Sequence, residues 1–193
     1  MEHDLSQLIV GVLALQGAVS EHIEQIQALG AHAVAVKHKE DLNHIHALIL
    51  PGGESTVIGK LMYKYGFIEA IRIFAQTHPV LGTCAGMILL AKKIEGGASS
   101  YLNLLDISVK RNAFGRQKES FQSDLKIRDM QESFPAIFIR APYVEWVDRR
   151  KVDILASINS HPVFVRQGHL FACSFHPELS RDNRIMNYFL TCL

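Results

Sequence analysis

The chain has 193 residues, 48% of them apolar, and a formal net charge of +1. Such a chain can bury one sizeable core and is expected to be one domain, residues 1–193. With no basic block and no aromatic-basic interleaving, nucleic acid is not an expected partner.

Three cysteines, an odd number without paired spacing, argue for a reducing compartment rather than a disulfide framework, and Cys173 and Cys192 read as inert core thiols. The N-terminus lacks the positive region of a secretory signal, and the apolar run 8–15 is too short to span a bilayer. A cytoplasmic protein without membrane contact is expected.

Residues 8–15 form a continuous apolar run of strand length, the pattern of a strand covered on both faces in a parallel sheet. Gln16 and Gly17 close it. Val19, Ile23, Ile26 and Leu29 then recur at helical spacing until Gly30 stops the helix. Residues 33–36 read as the second strand and 47–50 as the next buried one. The latter runs into Pro51-Gly-Gly-Glu-Ser-Thr56, a turn in which Ser55 or Thr56 can cap the helix that follows. Strands alternating with helices imply an α/β fold, a doubly wound and mostly parallel sheet whose sites lie beyond the carboxyl ends of its strands. Gln16, the 51–55 turn and Cys84 all fall at such ends.

Residues 79–91 read as a short buried strand, a tight turn on Gly82, Cys84 and Gly86, and an apolar helix. That is a nucleophile elbow with sulfur in place of serine, and the small neighbours leave room for a strained apex. Helix amides following Cys84 would point at the sulfur and favour thiolate over thiol. The same run also fits a small core cysteine that arose from packing.

After Lys93 the texture changes to short β-like runs at 106–109, 136–139, 154–156, 163–166 and 170–174, read as antiparallel additions with a hairpin around Gln167-Gly168. His176-Pro-Glu178 follows the last run. An imidazole near Cys84 could take the thiol proton and later protonate a leaving group, while a carboxylate holds its other nitrogen. Alternation puts His176 and Glu178 on the same side of an extended segment stiffened by Pro177. Alone, H-P-E fits a surface turn; paired with G-x-C-x-G it reads as a triad of Cys84, His176 and Glu178. A closing helix from about Asn183 carries Ile185, Met186, Phe189 and Leu190 at helical spacing.

The 51–56 turn is not a phosphate loop, because five residues separate Gly53 from Gly59 and Leu61 follows Lys60. Adjacent glycines instead suit an oxyanion hole, with the amides of Gly53 and Ala85 as donors, although a plain turn with a helix cap fits the same residues. Arg111 and Arg140 could each pair with a substrate carboxylate or simply be solvated. His44 and His46 have a possible metal-ligand spacing but no accompanying ligand set, so they read as loop histidines and no metal is expected.

Six segments carry a family resemblance: G-V-L-A-L-Q-G-A at 11–18, L-I-L-P-G-G-E-S-T at 48–56, G-T-C-A-G at 82–86, R-N-A-F-G-R-Q at 111–117, F-I-R-A-P at 138–142 and C-S-F-H-P-E-L at 173–179. With these the chain resembles the class I, triad-type glutamine amidotransferases, which have a flavodoxin-like sheet. The first, fourth and fifth segments narrow the likeness to the vitamin B6 branch, the glutaminase subunits of pyridoxal 5′-phosphate synthases.

That resemblance implies that Cys84 attacks the carboxamide of L-glutamine, His176 shuttles the proton and Glu178 orients it. It further implies that Gly52, Gly53, Glu54, Arg111, Ile139 and Arg140 bind substrate, with Glu54 facing the α-ammonium, and that Gln16 faces a partner. The implied partner is a separate (β/α)₈-barrel synthase subunit that receives the ammonia and whose docking switches the glutaminase on; no cofactor is implied. Two alternatives stand beside this reading. One is a glutaminase feeding an imidazole- or purine-pathway synthase; the other is a non-catalytic sensor of the same fold with Cys84 as a redox thiol.

Overall fold

The computed structural model describes residues 4–113 and 120–192. In chain order the elements are β1 (Ile9–Leu13), α1 (Val19–Ala28), β2 (His32–Val36), a 3-10 turn (Lys39–His44), β3 (Ala47–Leu50), α2 (Ser55–Lys64), α3 (Phe67–Phe74), β4 (Val80–Thr83) and α4 (Ala85–Leu90). There follow β5 (Ala91–Ile94), β6 (Leu105–Lys110), β7 (Ser120–Leu125), β8 (Phe134–Ile139), β9 (Tyr143–Val147), β10 (Asp153–Ile158), β11 (His161–Gln167), β12 (Leu170–Cys173), a second 3-10 turn (Pro177–Leu179) and α5 (Arg184–Thr191).

The central sheet has seven strands in the order β10-β11-β12-β4-β3-β1-β2. From β12 to β2 all neighbours are parallel, and β10 and β11 add an antiparallel edge. This is the doubly wound, mostly parallel sheet expected from the alternation of strands and helices, with its hairpin turning at Gly168. Alternation along β3 splits the core between the two faces. Leu48 and Leu50 pack with Ile58, Met62 and Phe67 beneath α2 and α3, whereas Ala47 and Ile49 pack with Ile26, Ile185 and Phe189 beneath α1 and α5. Two small sheets, β5-β6-β9 and β7-β8, flank the main one. No helix among the described residues is long and apolar enough to cross a membrane.

Three local expectations are corrected. The helix after Cys84 ends at Leu90, because Ala91 already pairs with Leu105 at the start of a strand. The cap of α2 is Glu54 rather than Ser55 or Thr56: its carboxylate accepts from the amides of Thr56 and Val57 at 3.0 and 2.9 Å. His176 and Glu178 do not lie on an extended strand; His176 caps the 3-10 turn, which folds the Glu178 carboxylate back onto the imidazole.

Candidate active site

Four adjacent parallel strands, β12, β4, β3 and β1, deliver Cys84, His176, Glu178, the Gly52–Glu54 turn and Gln16 to one sheet edge, while Arg111, Ile139 and Arg140 follow or end β6 and β8 of the small sheets. Cys84 follows β4 directly and has φ 49° and ψ −101°, a conformation that costs a non-glycine residue free energy and is found where a side chain must stand at a sharp apex. Packing enforces this turn. A methyl group on Gly86 would come within 2.1 Å of the Leu50 carbonyl oxygen, so only glycine lets α4 start this close to β3. The Cys84 amide in turn donates to the Cys173 carbonyl at 2.8 Å, which ties the elbow to the end of β12.

His176 arrives from that same end, its amide donating to the Ile137 carbonyl of β8 at 2.8 Å. Its Nδ1 stands 2.7 Å from Glu178 Oε1, and the Cys84 side chain stands beside the ring, both groups bordering Gly52. Burial disfavours the charged ring, but the neighbouring Cys84 and the bonded Glu178 prevail and raise its pKa from 6.5 to about 10. Burial likewise pushes the Glu178 carboxyl up, while His176 first and His22 second hold it below its ordinary value. Cys173 is fully buried, which pushes its thiol well up, as expected of an inert core cysteine.

The Gly52–Glu54 turn lies over this pair. Gly52 is pressed against both groups, since a methyl group there would sit 2.4 Å from His176 Cε1 and 3.5 Å from Cys84 Cβ. Two bonds from the β1–α1 loop fix the turn from behind: the Ala18 amide donates to the Gly52 carbonyl at 3.0 Å, and the Glu54 amide donates to Gln16 Oε1 at 2.8 Å. Gln16 is exposed and thus both braces the turn and presents its side to solvent. Ala85 is the first residue of α4, beside the sulfur.

The remaining candidates stand around the same edge. Cys84 Sγ lies 3.7 Å from the carbonyl oxygen of Ile139, and Arg140 follows with φ 44°. The Ala113 amide donates to the Ala141 carbonyl at 3.1 Å, which draws the 111–113 turn towards Arg140. Arg111 Nη1 donates to Thr56 Oγ1 at 3.3 Å and the guanidinium stands beside Glu54. Partial burial raises the Glu54 carboxyl, but the Thr56 and Val57 amides, with Arg111, bring it below its usual range. Of the 111–117 segment, residues 114–117 lie outside the described residues. His44 and His46 are remote from all this; His46 Nδ1 accepts from the Ile9 amide at 2.9 Å.

Every candidate site residue therefore lies at or around one sheet edge, with sulfur, imidazole and carboxylate in sequence. A family model described as the SNO glutamine amidotransferase family matches residues 12–193. The chain belongs to that family.

Relatives agree over nearly the whole length of this amidotransferase. It is 55% identical to "Pyridoxal 5'-phosphate synthase subunit PdxT" of Pasteurella multocida (strain Pm70) over 188 residues, 97% of each chain. To the protein of the same name from Oenococcus oeni (strain ATCC BAA-331 / PSU-1) it is 55% identical over 181 residues, 94% of each. A solved structure described as "Crystal structure of glutamine amidotransferase" superposes with a TM-score of 0.90 at 47% identity, covering 95% of this chain and 97% of that one.

Reading the sequence for motifs missed two residues that shape this amidotransferase site from behind. His22 and Gln25 of α1 are buried, although neither belongs to the apolar stripe of Val19, Ile23, Ile26 and Leu29. Gln25 Nε2 donates to the Pro177 carbonyl at 3.0 Å, and His22 Nε2 lies 3.5 Å from Glu178 Oε2. The available signal was spacing: His22, Ile26 and Leu29 stand at i, i+4 and i+7.

Proposed function

We propose that this protein hydrolyses L-glutamine to L-glutamate and ammonia and hands the ammonia to a separate pyridoxal 5′-phosphate synthase subunit. It does so as one glutaminase domain over residues 1–193, in the cytoplasm, with no cofactor of its own. The observation that carries the reading is the 2.7 Å contact between His176 Nδ1 and Glu178 Oε1, with the same ring beside Cys84 at the apex of the elbow.

Cys84 Sγ, its proton held by His176, attacks the side-chain carboxamide carbon of glutamine. The oxygen of the tetrahedral intermediate takes hydrogen bonds from the amides of Gly53 and Ala85. His176 gives its proton to the departing nitrogen, and the C–N bond breaks to leave ammonia and a thioester on Cys84. Water, deprotonated by His176, then attacks the thioester, and glutamate leaves as the sulfur regains the proton. Glu178 keeps the ring oriented and stabilises its charge through both halves.

Gly52, Gly53 and Glu54 hold one side of the substrate, the Glu54 carboxylate meeting the α-ammonium. Arg111, with the backbone of Ile139 and Arg140, holds the other, the guanidinium pairing with the α-carboxylate. Gln16 lies at the docking face of the synthase subunit, a (β/α)₈ barrel. Because Gln16 also accepts from the Glu54 amide, docking there would act directly on the turn that carries the Gly53 donor. The names of the relatives favour a vitamin B6 acceptor over imidazole or purine pathways. A redox sensor would leave the buried His176–Glu178 pair without a task.

The test is glutamate release from glutamine by the chain alone and after addition of a pyridoxal 5′-phosphate synthase barrel subunit. Turnover that appears or rises strongly with the barrel, and is absent in Cys84→Ser, supports the reading. Turnover only with a different acceptor synthase, or none with any, contradicts it.

A further inference from the structure

Behind the Glu178 carboxylate stands a second imidazole that the reaction above does not use. His22 is fully buried on α1, with Nε2 3.2 Å from Thr83 Oγ1 and 3.5 Å from Glu178 Oε2. Among the described residues no hydrogen-bond donor is in strict geometry for Glu178 Oε2, and nothing pairs with His22 Nδ1. Thr83 is the residue immediately before the nucleophile, so His22 touches the strand that carries Cys84 and the turn that carries Glu178.

The protonation of this ring follows from its surroundings. Burial holds His22 below its ordinary pKa against the opposing pull of Glu178, with His176 adding to the lowering, which favours the neutral ring. A neutral imidazole has one N–H. On Nδ1 that hydrogen would be buried without an acceptor, and the Nε2 lone pair would face a carboxylate. With the hydrogen on Nε2, that nitrogen lies 3.2 Å from Thr83 Oγ1 and 3.5 Å from Glu178 Oε2, and only the Nδ1 lone pair is left without a partner, a smaller cost than a buried unpaired N–H beside a lone pair that faces a carboxylate.

We propose that His22 is a positioning residue for the triad: its Nε2–H holds Oε2 of Glu178 while Oε1 of the same carboxylate holds His176. The inference rests on the triad reading above. Gln25, one turn along α1, fixes the backbone of the same turn through its 3.0 Å bond to the Pro177 carbonyl. Helix α1 thereby grips both the backbone and the carboxylate of the element that orients the base. The titratable groups facing Glu178 are His176 on its own turn, His22 on α1 and Cys173 at the end of β12, with Glu21 beside His22.

The experiment measures glutaminase kinetics of the complex with a synthase barrel subunit, across pH, for three His22 variants. His22→Leu removes the donor at similar bulk. It lowers kcat about 10–100-fold with KM unchanged, and moves the acid limb of kcat/KM to higher pH because a carboxylate short of a donor protonates more readily. His22→Gln sets an amide N–H near the place of Nε2 and recovers kcat to within several-fold together with the acid limb, whereas the shorter His22→Asn does not. In a Glu178→Gln background His22→Leu adds less than about twofold, since the two act through one contact. A wild-type kcat and acid limb in His22→Leu overturn the proposal, as does equal loss in all three variants with no shift of the limb. Should the leucine variant not fold, the comparison of glutamine with asparagine decides by the same criteria. Failure of the triad itself is visible separately, as Glu178→Gln and His176→Asn enzymes that keep full turnover, and would remove the role of His22 with it.

Discussion

The backbone of Gly52 lies against the imidazole of His176, so closely that a methyl group on it would meet Cε1 at 2.4 Å. The turn that is to bind glutamine and the base that is to move its proton are therefore in van der Waals contact, and neither can shift without the other. Gly52→Ala displaces the ring from Cys84 and lowers kcat in the assembled complex roughly 100-fold, as expected when a reacting group is misplaced by about an ångström. Gly52 is buried, so the variant also lowers the thermal unfolding midpoint by a few degrees, and kcat is measured on protein that remains folded.

His176 gives a prediction in pH. Its folded pKa of about 10 lies above the ordinary 6.5, so its contribution to stability is fully present below pH 6.5 and is lost as pH rises through about 10. Glu178 behaves oppositely: its lowered pKa contributes stability above the usual carboxylate range, lost as pH falls through the folded value. An NMR titration of the His176 ring should find a midpoint near 10, and Glu178→Gln should bring it down. Chemical unfolding of that variant should fall less steeply between pH 7 and 10. A wild-type midpoint near 6.5 would contradict the assignment.

Glu54 caps α2 and is also proposed to meet the substrate ammonium, so its removal should show in two independent measurements. Glu54→Ala leaves the Thr56 and Val57 amides without their acceptor and lowers stability by about 1 kcal/mol, read from urea unfolding. The same variant raises KM for glutamine. Glu54→Gln keeps one acceptor oxygen and recovers most of the stability while leaving KM high.

Arg111 stands beside Glu54 and Thr56 with its Nε buried and without a hydrogen-bond partner among the described residues. Its pairing with a substrate carboxylate predicts that Arg111→Ala raises KM for glutamine about 10–100-fold, the loss of a charge-assisted hydrogen bond, with a smaller effect on kcat. Arg111→Lys, which cannot form the bidentate pair, recovers little. Initial-rate kinetics on the complex check both.

The sequence is legible where one physical constraint acts alone. Residues 47–50 are apolar at every position because β3 is covered on both faces, and Gly82 is required by the Gly86 backbone four residues on. Legibility fails where partners are distant. Strands β5 and β7 show polar, part-exposed patterns, and only pairing with β6 and β8 makes them strands. His22 looks like one more polar residue of an amphipathic helix, and it becomes part of the site only because the His176–Leu179 turn packs onto α1. The 3-10 geometry of that turn was likewise hidden, since H-P-E reads equally well as extended chain.

The central claim is that Cys84 is the nucleophile and that His176 activates it. The direct measurement is peptide mass spectrometry after treating the assembled complex with a chloroketone analogue of glutamine, with and without His176→Asn. The account predicts one adduct, on Cys84, formed in proportion to loss of glutaminase and slowed by orders of magnitude in the variant. An adduct on Cys173 or Cys192 instead, or labelling of Cys84 at an unchanged rate in His176→Asn, would contradict it.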